Sequence, residues 1–370
     1  LSGTFLLVST FLGIPLTEPL LYMLGISEDI VVLATGYMRL QFVAQAAQGL
    51  MMMSGAALQA AGDPITPMRA GISSRVGHFL LSPLLIFGWG WFPAMGLEGA
   101  AMAGILAGIV GVIWNFQSLL RGVSRLHLKP SEYRLDLPLM WRMLRIGAPA
   151  SITSMERSLS QLAVVWLVAF FGDISLAAYA LAQRMQMLTN LGSMGLGMGA
   201  GVMVGQNLGA DKPERAREAV CWALLYVSVI SVSLGVLLWV FSEPFLTIFV
   251  RDLAVMEVAV PWLRIVVLGF MVMGMGMVFT QSYNTAGDTL MPMVVSLVTI
   301  WGVQVPLAIV LSGVGNDWTI LGFSVTLPTI GNLGQYGIAW AIVTAMALRL
   351  FLYVPYFFTG RWLRKHVFDD

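Results

Sequence analysis

Charge is what this sequence has least of. Lys, Arg, Asp and Glu make up 11% of the 370 residues, where a soluble domain carries roughly a quarter. So few polar groups cannot cover a globule in water, which excludes a soluble fold. Cysteine is almost absent: Cys221 stands alone, so no internal disulfide can form, and the residue reads as a small apolar helix position. A net charge of +1 gives no basic field for nucleic acid. Metal-ligand clusters and nucleophile triads are missing. The glycine run "GLGMGAG", Gly195 to Gly201, follows no strand and so is no nucleotide loop. A Walker sequence is lacking too, which excludes ATP as a direct driver. No cofactor and no enzymatic activity are therefore expected. The basic start and cleavage site of a signal peptide are also wanting. The chain opens "LSGTFLLVSTFLGIPL", already inside an apolar helix, as an N-terminally truncated product would.

What is present is apolar length. Hydrophobic residues make up 58%, and mean hydropathy is +0.83. Runs of about 20 apolar residues, enough to cross a bilayer, recur along the chain. Lipid offers the backbone no hydrogen-bond partner, so such runs must be helices; barrel strands would alternate in polarity, and these do not. Ten spans are expected, at 1–24, 30–58, 68–92, 98–121, 141–171, 175–207, 217–242, 254–283, 291–313 and 334–360. One polar stretch, Arg121 to Arg142, interrupts them. It divides the chain into an N-terminal lobe (1–125, four spans), a linker (126–140) and a six-span C-terminal lobe (141–370).

Basic residues sort by side. Thirteen Lys and Arg, from Arg69 to Lys365, flank the loops after even-numbered spans and the C-terminal tail; after odd-numbered spans there is only Arg251. By the positive-inside rule the linker and both termini face the cytoplasm, as in a multi-pass protein of the cell's inner (plasma) membrane.

The chain also repeats itself. "QAAGDPITPM", Gln59 to Met68, returns as "NTAGDTLMPM", Asn284 to Met293. Shifting the chain by 225 residues gives twelve identities in 51 ungapped positions, where about four are expected by chance. Glu18, Arg39 and Gly49 fall on Glu243, Arg264 and Gly274. Further on, "GLEGAAMA" from Gly96 resembles "GQYGIAWA" from Gly334, after an extra loop near 313–333. An offset of six spans keeps both copies in the same orientation. The expected fold is thus an all-α integral membrane protein of two pseudo-symmetric helical bundles, a parallel repeat. Spans 141–207 have no partner in the first copy, so the intact protein is expected to have twelve spans, ten of them here. Gly62, Asp63, Gly287 and Asp288 read as tight cytoplasmic turns, in which Gly supplies the unusual backbone angle and Asp caps the next helix.

Two features give these observations a family. The paired Ala-Gly-Asp…Pro-Met turns and "VGQNLGADKPERA", Val204 to Ala216, resemble the multidrug and toxic compound extrusion (MATE) family. The resemblance covers essentially the whole chain, which would begin at the family's third helix. It implies a secondary antiporter that exchanges H⁺ or Na⁺ for cationic, amphipathic compounds, with two six-helix lobes around a central cavity. It places an ion-site carboxylate at Glu156, in "APASITSMERSLSQ", and sets His78 and Ser82 where many members carry Asn and Asp. The acid some members carry in the fourth helix of the second lobe is missing from "FMVMGMGMVF", Phe270 to Phe279.

Read from the residues, Glu156 is the one carboxylate deep in a helix. A central acid costs about 2.5–3.5 kcal/mol to insert, so it tends to face a cavity or a partner. Ion coupling, a salt bridge to Arg184 and snorkelling are the alternatives. His78 lies mid-helix and is either a proton-coupling group or a hydrogen-bonded packing residue. Met185, Met194, Met271 and Met273, with Gln183 and Arg184, are the candidate cavity lining, since Met adapts to varied apolar shapes; core or lipid packing is the competing explanation. The expected activity is cation-coupled export of small molecules by alternating access. Rival readings are a flippase for lipid-linked precursors, its basic cavity drawn from Arg157, Arg184 and Arg264, and a non-transporting membrane scaffold. The expected partners are small-molecule drugs or toxic metabolites and membrane lipids, and the expected unit is a monomer.

Overall fold

A computed structural model describes residues 2–23, 28–89, 93–121, 136–314, 317–320, 323–326 and 333–364. By contacts the chain divides into two compact units, Leu1–Met140 and Trp141–Asp370. Most of the expected linker, residues 126–135, lies outside the described residues.

The first unit holds α1 (Ser2–Met23), α2 (Glu28–Ala60), α3 (Ile65–Phe87) and α4 (Gly96–Arg121). Helix α5 (Leu137–Ala169) leads into the second unit. There follow α6 (Asp173–Leu208), α7 (Pro213–Val240), the short α8 (Ser242–Thr247) and α9 (Leu253–Thr285). Next, α10 (Leu290–Leu297), a π-helical stretch (Val298–Gln304) and α11 (Val305–Ser312) form one continuous run. A small antiparallel hairpin, β1 (Asp317–Ile320) with β2 (Phe323–Thr326), occupies the expected extra loop. Helix α12 (Gln335–Thr359) and a 3₁₀ turn (Arg361–Arg364) end the described chain.

Among the described residues, seven helical runs are long and apolar enough to cross a membrane: α3, α4, α6, α7, α9, α10 through α11, and α12. Large apolar side chains point outward on most of them, including Phe79, Leu253 and Phe351, each at least 70% exposed. A soluble protein hides such residues; a lipid-solvated one displays them. The chain is a multi-pass, essentially helical membrane protein.

Local sequence sets the corners. Gly62 (φ 89°) and Gly287 (φ 85°) adopt the left-handed conformation that costs only glycine nothing. In the first corner the Asp63 amide donates to Leu58 O and the Gly62 amide to Gln59 O, both at 2.9 Å. In the second the Asp288 amide donates to Tyr283 O at 2.9 Å and the Gly287 amide to Asn284 O at 3.1 Å. This is the same Schellman closure, satisfying the last carbonyls of α2 and of α9. Asp211 (φ 54°) makes the corresponding closure after α6, its amide donating to Leu208 O and that of Lys212 to Asn207 O. Pro213 then opens α7 at a position that needs no amide donor.

Each unit packs through small residues. A Cβ on Gly99 of α4 would sit 2.5 Å from the backbone oxygen of Leu85. A Cβ on Gly337 of α12 would sit 2.5 Å from that of Leu311. In the second unit α9 is the central helix. One end buries Trp262, Leu263, Val266, Val267 and Phe270 against Val164, Leu167 and Val168 of α5 and Ala178, Ala182 and Met185 of α6. The other end buries Phe279 and Tyr283 against Tyr353, Phe357 and Trp362. Gly197, Gly201 and Gly205 of α6 lie against Met277, Gln281 and Thr285 of α9, four residues apart on each helix.

Candidate functional site: a buried Glu–Ser–Arg cluster in the second unit

Glu156 sits in α5 at 3% exposure. Its Oε2 accepts a hydrogen bond from Ser296 Oγ at 2.5 Å. Its Oε1 is enclosed and has no hydrogen-bond partner. Four-residue spacing puts Glu156, Ser160 and Val164 on the buried face of α5. Arg157, one residue on, lies on the exposed side.

Ser296 belongs to α10 and is almost fully buried, as is Thr299 at the start of the π-helical stretch. Thr299 Oγ1 donates to Val295 O at 2.8 Å and also contacts Ser296 O at 3.2 Å. Both hydroxyl oxygens receive Arg349 Nη2 from α12, Ser296 at 3.5 Å and Thr299 at 3.4 Å. These are long bonds, so the guanidinium is held loosely. Its Nε is enclosed and without a partner. The stem of Arg349 lies near Gly276 of α9. Glu156 and Arg349 form no direct ion pair; the Ser296 hydroxyl bridges them. One turn further along α12, Tyr353 shares a hydrogen bond with Thr280 of α9 at 3.2 Å, and Tyr283 donates to the Tyr353 carbonyl at 3.0 Å.

Four segments of one unit thus converge on a buried acid and a half-buried arginine. The π-helical stretch adjoins them: the Val305 amide reaches back to Ile300 O. Such stretches accompany functional sites more often than chance would place them. Arg349, Ser296 and Thr299 were missed in the sequence. The signal for Arg349 was there, an arginine in the middle of the apolar "AMALRLFLYVP", Ala345 to Pro355. The two hydroxyls carried none, because Ser and Thr on a membrane helix ordinarily bond their own backbone.

The other candidates are dispersed. Arg184 lies exposed, its guanidinium 5.9 Å from the Phe249 ring centroid rather than at Glu156. Gln183 donates to the Tyr179 hydroxyl at 2.8 Å. Met185 is fully buried in the core of the second unit, and Met194 on the same helix is 46% exposed. Met273 Sδ accepts from Gln186 at 3.2 Å. Met271 is half-buried, against Gly235 of α7. His78 lies in the first unit, half-buried on α3 beside Gly104 of α4, and its carbonyl receives the Ser82 hydroxyl at 2.7 Å.

The two corner aspartates differ in their surroundings. Asp63 accepts from the amides of Ile65 and Thr66, both at 3.1 Å, and from the Thr66 hydroxyl at 2.6 Å. The Thr66 hydroxyl, above all, holds its carboxyl below the ordinary value against the opposing effect of burial, with lesser help from the two amides and Arg69. Asp288 is buried at 1% exposure and receives the Tyr356 hydroxyl on Oδ2.

Known proteins share this chain's pattern. It is 29% identical over 317 residues to the "Probable multidrug resistance protein YoeA" of Bacillus subtilis (strain 168), covering 84% of this chain and 68% of the relative. It is 25% identical over 309 residues to the "FAD transporter" of Shewanella oneidensis, covering 82% and 68%. In fold it is similar to a MOP superfamily transporter from Pyrococcus furiosus, with TM-score 0.87 at 17% identity, over 99% of this chain and 78% of that one. It is also similar to a MATE structure in the bent conformation, with TM-score 0.84 at 18% identity, over 97% and 75%. The MatE family model matches residues 1–84 and 149–310. That is well over half of the sequence, and the chain belongs to the MatE family of membrane transporters.

Proposed function

We propose that this protein is a cation-coupled antiporter that exports amphipathic, cationic small molecules from the cytoplasm by alternating access. In this reading ten spans cross the plasma membrane as two bundles in like orientation, with both termini cytoplasmic. The coupling ion binds at Glu156. Ion and drug favour different states of the transporter, and that difference is the free energy that links their movements.

The observation that carries the reading is the buried carboxylate with one satisfied and one open oxygen. A structural acid in a membrane helix would have both oxygens engaged, since an unpartnered buried oxygen is costly. An acid that loads and unloads a cation must keep an acceptor free. The relatives named as multidrug resistance proteins support export as the direction of work. A flippase for an anionic headgroup has less support. Of the arginines that reading needs, Arg264 is engaged by Ser242 at 3.0 Å and by the Trp239 ring, and Arg184 by Phe249.

The test is efflux of a cationic dye from cells or proteoliposomes carrying the wild type or Glu156→Gln. Gln keeps the shape and can still receive the Ser296 hydroxyl, but it cannot take up a cation in exchange. Gradient-driven efflux is expected to fall on the order of tenfold or more, with folding unchanged. Undiminished efflux would remove Glu156 from the coupling mechanism.

A further inference from the structure

Resting on the antiporter reading, the surroundings of Glu156 also choose between the two coupling ions. We infer that the site takes a proton and rejects Na⁺, and that Arg349 is the positioning residue responsible.

Consider the oxygens available. A hard cation such as Na⁺ needs a shell of several oxygen ligands. Ser296 Oγ bonds Glu156 directly, and Thr299 Oγ1 is tied to the same cluster through Arg349. Ser296 Oγ spends its proton on Glu156 Oε2 and receives Arg349 Nη2. Thr299 Oγ1 spends its proton on backbone carbonyls and receives the same guanidinium nitrogen. The Arg349 guanidinium thus lies against both hydroxyl oxygens through long contacts, and a sodium ion approaching them would meet its charge. What is left wholly open is Glu156 Oε1. A metal ion needs further oxygens beside it, while a proton needs only that single lone pair.

Charge points the same way. Arg349 stands one hydroxyl away from Glu156, and Arg157 adjoins on α5. A sodium ion at Glu156 would sit close to the Arg349 cation in a site of low dielectric, where repulsion is strong, with the exposed Arg157 adding a weaker, solvent-screened share. A proton joins the carboxylate covalently and tolerates the same neighbours. The other titratable groups facing the cluster are the phenols of Tyr353 on α12 and, behind it, Tyr283 on α9. Both are uncharged near neutral pH and supply no negative charge to attract a metal.

The experiment is direct ion binding to the purified full chain in detergent. Radioactive ²²Na⁺ is titrated by scintillation proximity, and proton release on adding a cationic dye is read in weak buffer. For the wild type the expected result is dye-driven proton release, lost in Glu156→Gln, with no Glu156-dependent ²²Na⁺ signal. Arg349→Gln frees the two hydroxyls and removes the cation. It should make Glu156-dependent ²²Na⁺ binding appear at Na⁺ concentrations about tenfold or more below any at which the wild type shows it. Arg349→Lys, which keeps the charge, should stay nearer the wild type. Monodisperse elution of each variant shows that folding is kept, which a merely structural arginine would also need; the change of ion preference is the readout such a role does not move. Glu156-dependent ²²Na⁺ binding by the wild type would overturn the inference. So would an Arg349→Gln variant whose ion preference is unchanged. The sodium titration needs no dye, so absence of dye binding would count against drug export alone and leave the ion-selectivity result standing.

Discussion

The Ala-Gly-Asp corner is built twice with one backbone and two different aspartates. After α2, Asp63 is only half-buried and holds the first turn of α3. After α9, Asp288 is buried and held by Tyr356 from α12. The same divergence runs through the two units. In the first, α2 and α4 share a modest polar contact, Asn115 Nδ2 donating to Met51 O and to Ser54 Oγ, both at 3.2 Å. In the second, the corresponding helices α9 and α12 carry Thr280, Tyr353 and Arg349, and α5 adds Glu156. Arg39 and Arg264, matched in the repeat, keep a shared job. Each ties its helix to the one before it, through Glu18 of α1 at 3.6 Å and Ser242 of α8 at 3.0 Å. The two units thus share a backbone corner and a tying arginine, while the buried carboxylate and its arginine lie in the second.

The largest expected effects test what the copies share. Gly99 and Gly337 hold equivalent close approaches, each leaving a new Cβ 2.5 Å from backbone. Backbone cannot step aside as a side chain can. Gly99→Ala and Gly337→Ala should each cost about 3 kcal/mol, read as a loss of thermal stability in detergent by size-exclusion chromatography after heating. Equal losses would show that both contacts bear the same packing. A tolerated alanine at one of them would break the equivalence there.

How much of this was legible in the sequence follows from the physics of each feature. Helix positions were readable because lipid demands long apolar runs: the expected span 254–283 is α9 at Leu253–Thr285, and 175–207 is α6 at Asp173–Leu208. The corners were readable because a left-handed residue after a helix favours glycine, and Gly62 and Gly287 advertise it. Glu156 was conspicuous because a carboxylate is rare in a membrane helix. Its partners were harder to see. Ser296 and Thr299 lie more than a hundred residues away, and their hydroxyls look like any others on a greasy helix. The π-helical stretch, Val298–Gln304, has no composition of its own; hydrogen-bond register decides it. Methionines mislead for a related reason. Met185 and Met187 are two residues apart on α6, yet one is fully buried and the other 68% exposed. Composition names the residue, while helix rotation decides what it faces.

The smaller effects test where the copies part. Asp288 is buried with a phenol donor, and a charge-assisted hydrogen bond of that kind contributes about 2 kcal/mol. Asp288→Ala should lose that much, and Tyr356→Phe should lose a comparable share, because either change removes the hydrogen bond between them. At Asp63 the same replacement removes only a helix cap, and about 1 kcal/mol is expected. Its pH dependence follows from its carboxyl, which lies below the ordinary value of 3.8. A depressed carboxyl stabilises the fold fully above its unfolded value and loses that contribution as pH falls through the folded one. The stability gap between wild type and Asp63→Ala should therefore hold steady from pH 8 to pH 5. It should narrow only in acid below about 3.8. A gap already closing at pH 6 would mean that the cap does not depend on an ionised Asp63. The contrast with Asp288 would then lie in burial alone.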